Sequence, residues 1–184
     1  MKESVLGIFT NYYVPGFKAG GPIRSVFNLV NVLSKKKLKI IIYTYSKDFK
    51  SNTYYENIVF DKLINSFDKN CKIIYSKKKF NIKQVFKFIK KSNILYFNSF
   101  FNFHYTILPL IINLFFYRKK VVIAPRGEFS NNALQIKNFK KFIYLKLFKL
   151  LYPIKNLYWH ATSNYEKNQI KKFFNSKNIS VAPN

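Results

Sequence analysis

Short apolar runs rich in β-branched and aromatic residues alternate with longer stretches of helical spacing along the whole 184-residue chain, and this alternation restricts the fold more than any single motif. Residues 5–9, 39–45, 71–75, 93–97, 120–124, 157–161 and 179–182 read as strands. Several are continuous, as in Ile40-Ile41-Ile42, the pattern of a strand covered on both faces. Between them, residues 22–34, 82–90, 104–116, 133–151 and 164–174 read as helices; in the first, Ile23, Val26, Phe27, Val30 and Leu33 recur at helical spacing. Residues 46–70 are polar and weakly periodic, with 54–60 as a candidate edge strand or hairpin arm. Strands alternating with helices predict one α/β domain, a doubly wound, mostly parallel sheet with helices on both faces. Ligands of such sheets bind at the carboxyl ends of the strands.

Three loops follow predicted strand ends. The first holds Gly20, Gly21 and Pro22, with Arg24 in the opening turn of the next helix. Glycines free the backbone, and proline suits the first helical position. A helix start with bare N–H groups and a positive dipole end is a candidate anion site. It is neither G-x-G-x-x-G nor a Walker loop, so a plain flexible connection is the rival reading. The second loop is Pro125-Arg126-Gly127-Glu128. Arg126 there suits a phosphate or carboxylate, or else Arg126 and Glu128 pair with each other or cap the next helix. The third is His160-Ala161-Thr162-Ser163-Asn164-Tyr165-Glu166, where Ser163 and Glu166 fit a capping box better than catalysis.

His160, inside a strand pattern, reads as a core or groove-lining residue rather than a general base. His104 follows the fourth predicted strand and is a candidate for the cleft, without an identifiable carboxylate partner. Two histidines and the lone Cys71 lack metal-site spacing, so no metal is expected. Lone Cys71 also excludes an internal disulfide and suits a reducing compartment.

Lys and Arg number 33 against seven Asp and Glu, a net charge of +26 that attracts nucleic acid, anionic lipid headgroups or phosphorylated ligands. The cations are dispersed, with short runs at Lys35–Lys37, Lys77–Lys79 and Lys140–Lys141, so they read as solvated faces rather than a nucleic-acid tail. Residues 92–117 carry no charge, but Asn93, Asn98, Asn102, His104, Pro109 and Asn113 interrupt them, which favours a buried strand and helix over a membrane span. The five apolar-type residues after Ser4 are too few for a signal-peptide core. The lysine-aromatic helix over 133–151 is either a membrane-surface face or a core-packed helix with a basic outer side.

One resemblance ties these motifs together. Tyr13-x-Pro15-Gly16-x-x-x-Gly20-Gly21-Pro22-Ile23-Arg24-Ser25-Val26 looks like the first loop and helix of glycosyltransferase family 4, in its subfamily 4-like N-terminal domain. Pro125-Arg126-Gly127, the Lys140-Lys141 helix, Ala161-Thr162-Ser163-x-x-Glu166 and Val181-Ala182-Pro183-Asn184 follow in the family's order. The resemblance implies the Rossmann-like, acceptor-side lobe of a GT-B fold over residues 1–184, without the C-terminal nucleotide-sugar-binding lobe and its paired glutamates. It implies retaining sugar transfer from a nucleotide sugar to a glycan or lipid-linked acceptor in cell-surface polysaccharide synthesis, with no cofactor and no metal. Carried onto this chain, Gly20 and Gly21 would approach the donor phosphates, with Pro22 and Arg24 at the phosphates or the cleft. Arg126, Gly127, Glu128 and His104 would line the cleft or the acceptor site, with His160, Ser163 and Glu166 as cap or cleft wall. The chain alone is then expected to be a poor catalyst, needing a partner lobe, and to sit in the cytoplasm or at the inner face of an anionic membrane. The rival class is a non-enzymatic basic α/β module binding nucleic acid or anionic membrane, although the sequence has no nucleic-acid motif.

Overall fold

Each predicted apolar run forms a strand, and parallel pairing places most of them inside one sheet. The computed structural model describes residues 4–36, 38–135, 138–152 and 156–183. Lys37 of the first lysine run and Asn184 of the terminal motif lie outside the described residues. In chain order the elements are β1 Val5–Phe9, α1 Gly21–Ser34, β2 Lys39–Tyr45, β3 Leu63–Asn65, β4 Cys71–Ser76, α2 Ile82–Lys91 and β5 Ile94–Phe97. A helical segment over 103–117 follows, with α3 Leu108–Ile112 at its centre. Then come β6 Lys120–Ile123, α4 Asn131–Gln135, α5 Asn138–Leu151, β7 Leu157–Ala161, α6 Asn164–Phe174 and β8 Ile179–Val181.

The sheet order is β3-β4-β2-β1-β5-β6-β7-β8; only β3 runs antiparallel, against β4. This is the doubly wound α/β sheet that the alternation predicts. The chain winds outward from β1 through β2 to β4, then returns to β5 on the other side and winds the opposite way. A direction reversal of that kind opens a crevice between β1 and β5 at their carboxyl ends.

Reversal also puts helices on both faces. Leu6, Ile8, Ile40, Ile42 and Ile73 pack with Val26 and Val30 of α1. On the opposite face Phe9, Tyr43, Phe97, Ile123 and Trp159 pack with α2, α5 and α6 through Phe88, Phe148 and Ile170. Both faces of β2 are therefore dry, which explains its unbroken Ile40–Tyr43 run.

Two expectations need correction. Residues 54–60 form no strand: Tyr54 makes one bridge to Lys47, and the edge strand is β3 instead. Asn57 and Asp61 have φ of 56° and 58°, and two left-handed residues turn the chain too sharply for a ladder there. The helix expected over 133–151 is helical over its described residues, as α4 from Asn131 and α5, and residues 136 and 137 of that expectation lie outside the described residues. The helix expected over 104–116 has π-helical turns, Phe103–Ile107 and Asn113–Tyr117, on either side of α3. Pro109 has no N–H to give, and Ile107 and Leu108 bond five residues back, to Asn102 and Phe103.

Asn113, an interruption of the uncharged run, is fully buried there and fully used. It donates to the Lys119 carbonyl and the Tyr152 hydroxyl and accepts from the Lys119 N–H, joining the segment to β6. Among the described residues no helix is long and apolar enough to cross a membrane.

Candidate functional site

At the carboxyl ends of β1 and β5 lies a cavity of about 330 Å³, within the size range of small-molecule sites. Four segments wall it: Thr10, Asn11 and Tyr12 after β1; Lys18, Ala19 and Pro22 at the start of α1; Asn98, Ser99 and Asn102 after β5; and Arg126 and Glu128 after β6. Phe49, Tyr105 and Thr106 complete it.

The glycine loop is held from outside by a residue that sequence reasoning passed over. The Asp48 carboxylate accepts the backbone N–H groups of Phe17, Lys18 and Phe49 at 2.9, 3.1 and 2.7 Å. Burial alone would raise its pKa, but these donors hold it below the usual carboxylate range. Gly16 has a packing reason to be glycine, since a Cβ there would sit 2.3 Å from the Tyr55 hydroxyl. Gly20 has a conformational one, with φ 63° and ψ −116° at the cap of α1.

The start of α1 offers fewer bare N–H groups than the sequence suggests. Pro22 has none, and those of Ile23 and Arg24 turn to the Gly20 carbonyl. Pro22 lines the cavity, whereas Gly20, Gly21 and Arg24 lie outside its lining, Arg24 being exposed. The positive end of the helix still faces that wall.

Arg126 is the centre of the site. Its φ of 55° is left-handed, at a cost of about 1–2 kcal/mol for a non-glycine residue. The surroundings hold it there. Its Nε donates to Asn98 Oδ1 at 2.8 Å and an Nη to the Tyr96 hydroxyl at 2.9 Å. Asn98 in turn donates to the Pro22 carbonyl, so one amide links the arginine to the start of α1. Gly127, at φ 78°, gives its N–H to Glu166 at 2.6 Å.

The two acids nearby are supports rather than an exposed pair. Glu128 accepts from the Ser99 hydroxyl at 2.7 Å and from the N–H groups of Phe100 and Phe101, shaping the loop after β5. Its pKa is raised: burial outweighs these donors and the nearby Lys141. Arg126 therefore bonds Asn98 and Tyr96, while Glu128 bonds the loop after β5. Glu166, only 3% exposed, accepts Gly127 N–H and both the N–H and hydroxyl of Thr162. Ser163 caps α6 by accepting the Glu166 N–H, which is half of the expected box. The other half departs from it, because the Glu166 side chain reaches Thr162 and the arginine loop.

His160 closes a hydrogen-bonded chain. The Tyr96 hydroxyl donates to its Nδ1 at 2.7 Å, and its Nε2 donates to the Ala182 carbonyl at 2.9 Å. Burial pushes Tyr96 up to about 12 and lowers His160, so a neutral phenol donates to a neutral imidazole. With both ring nitrogens engaged, His160 orients Tyr96 and Arg126 rather than collecting protons. His104 does not line the cavity; burial and nearby Lys79 lower its pKa. Cys71 is buried beneath α1 and pushed up to about 11, which makes its thiol inert. Among the described residues there is no cluster of three His, Cys, Asp or Glu side chains for a metal.

Of the expected residues, the fold brings Pro22, Arg126 and Glu128 to one cavity and places Gly127, His160, Ser163 and Glu166 behind it. Lys18, Asp48, Tyr96 and Asn98 complete the arrangement. Compared with known proteins, the chain matches no family model and no curated sequence.

Proposed function

We propose that this domain is the acceptor-side lobe of a retaining glycosyltransferase of the family 4 type, taking a sugar from a nucleotide sugar to a glycan or lipid-linked acceptor. The observation that carries the reading is Arg126, left-handed in its backbone and with its guanidinium oriented by Asn98 and Tyr96, at the switch-point cavity. A guanidinium set in place in this way attracts phosphate without reorganising, which is how preorganised charge lowers a barrier. Lys18 and the dipole of α1 add positive potential at the opposite wall. Asn11 and Asn102 bring amide groups of the kind that sugar hydroxyls need to the same cavity. In this reading a second lobe, from a longer form of the chain or from a partner, completes the nucleotide pocket, and the domain by itself turns over poorly. The resemblance in the glycine, arginine and Glu166 motifs supports the family, and the doubly wound sheet is compatible with it.

The test is a thermal-shift and NMR titration of the 184-residue chain with nucleotide sugars, sugar 1-phosphates, unphosphorylated sugars and duplex DNA. Phosphate-bearing sugars should raise the melting temperature and shift resonances of the loops after β1, β5 and β6. Arg126→Ala should lose at least about tenfold in affinity, as expected for a charge-assisted bond worth ~1.5–3 kcal/mol. Binding that is equal for Arg126→Ala, or confined to DNA with steep salt dependence, would overturn the reading in favour of a basic binding module.

A further inference from the structure

The core side of α5 is Leu145 and Phe148, both buried, with Tyr152 just beyond. A helix needs only one such stripe to join a core. Yet Phe139, Phe142 and Leu150 on the same helix are 76%, 52% and 80% exposed, and Ile143, Leu147 and Leu151 are exposed as well. At 100° per residue, Phe139, Ile143, Leu147 and Leu150 fall within about 80° of one another, on the side away from the core. Lys140 flanks this stripe on one edge and Lys146 and Lys149 on the other, with the Lys146 ammonium 4.6 Å over the Phe142 ring. The apolar field continues past the helix end. Leu151 shares a shallow hollow with Phe115, and Arg118 and Lys119 rim it.

We propose that the outer face of α5 docks onto an anionic lipid bilayer. An apolar stripe edged on both sides by lysines is the composition of a helix lying in the interface, where chains enter the acyl boundary and ammonium groups stay among the headgroups. The charge selects this occupant. From residue 129 to 165 the chain has six lysines and no Asp or Glu, in a protein of net charge +26. A second copy on this face would press lysine against lysine with no acid to pair them. Negative surface potential supplies the missing partner. The 14 residues of α5 do not span a bilayer; they lie along it. This docking face is independent of the sugar-transfer reading, so vesicle binding and sugar-phosphate binding can succeed or fail separately.

The test is vesicle flotation of the 184-residue chain with phosphatidylcholine alone and with added phosphatidylglycerol. Binding should require the anionic lipid. Phe139→Ser combined with Leu150→Ser should lower it at least about tenfold, with circular dichroism unchanged. Lys146→Glu with Lys149→Glu should weaken the preference for phosphatidylglycerol at least about tenfold, whereas Lys90→Gln with Lys91→Gln on α2 should change binding by no more than about twofold. If the double serine variant loses its fold, Leu150→Asn alone decides, with an expected fall of about threefold or more. Unchanged binding by the folded apolar variants, equal binding to neutral vesicles, or a dimer in solution that the same variants dissociate would overturn the proposal.

Discussion

Glu128 offers a clean separation of hydrogen bonding from charge. Its Oε2 receives two backbone N–H groups, from Phe100 and Phe101, and its Oε1 receives the Ser99 hydroxyl. Glu128→Ala removes the acceptor and leaves the two backbone donors unpartnered, while the Ser99 hydroxyl is free to rotate. At ~1–3 kcal/mol for each buried unsatisfied group, the two give about 4 kcal/mol, or a melting temperature lower by roughly 8–16 °C. Glu128→Gln is different. Its amide oxygen can take both N–H groups at the Oε2 position, and its NH₂ can donate to the Ser99 hydroxyl, which turns to accept. The variant also removes a buried charge, so it should stay within about 1 kcal/mol of wild type at neutral pH.

The pH dependence provides the second check. Because burial raises the folded pKa of Glu128 above its ordinary value of 4.5, the protonated form favours folding. The contribution is fully present below the unfolded pKa and is lost as pH rises through the folded one. Wild type should therefore lose stability relative to Glu128→Gln as pH climbs from below 4.5 through the raised value. Differential scanning calorimetry of wild type, Gln and Ala variants across acid and neutral pH reads all three quantities. A Gln variant as unstable as Ala, or a difference that grows in the opposite sense with pH, would refute the reasoning.

The buried Tyr144 hydroxyl has no hydrogen-bond partner among the described residues, so Tyr144→Phe should be neutral or stabilising by up to about 1 kcal/mol, whereas Tyr75→Phe, which loses the bond to the Val14 carbonyl, should cost about 1 kcal/mol in urea unfolding. Burial lowers the pKa of His160 from 6.5, so its contribution is present above that value and is lost as pH falls through the folded pKa. His160→Gln should flatten that acid-side loss in thermal melts, and a flat wild-type profile below 6.5 would contradict the neutral Tyr96–His160 pair.

The strands were legible because each is a local event: a run such as Lys39–Tyr45 records burial on both faces in its own composition. The glycine and arginine loops were legible for a related reason, since proline and glycine mark where a strand ends. What escaped was set by distance. Asn98 reads only as an interruption of an apolar run, and its role depends on Pro22, 76 residues earlier, and Arg126, 28 later. Asp48 sits in a polar stretch with no periodicity, and its bonds to Phe17 and Lys18 cross a whole strand and helix. Strand β3 is three residues long and exists only because β4 pairs with it. Glu166 was legible as a cap because Ser163 precedes it by three, while its bond to Gly127 has no local signature.

The cavity and the outer face of α5 are not separate features of the surface. Lys141, on α5, lies over the Phe101 ring at 5.0 Å and is one of the charges acting on Glu128. Phe101 gives its N–H to that same carboxylate, and Glu128 lines the cavity. The rim of the site therefore rests on the first half of the helix whose far side carries Phe139 and Ile143. Were α5 to lie on a bilayer, the cavity would be held near the headgroup layer, and a substrate anchored by a lipid tail would reach Arg126 by moving along the surface. Confinement of both partners to that layer raises their effective concentration without any new contact. On the proposed reading, an apolar, lysine-edged helix beside the cleft would suit a substrate that arrives from the membrane rather than from solution.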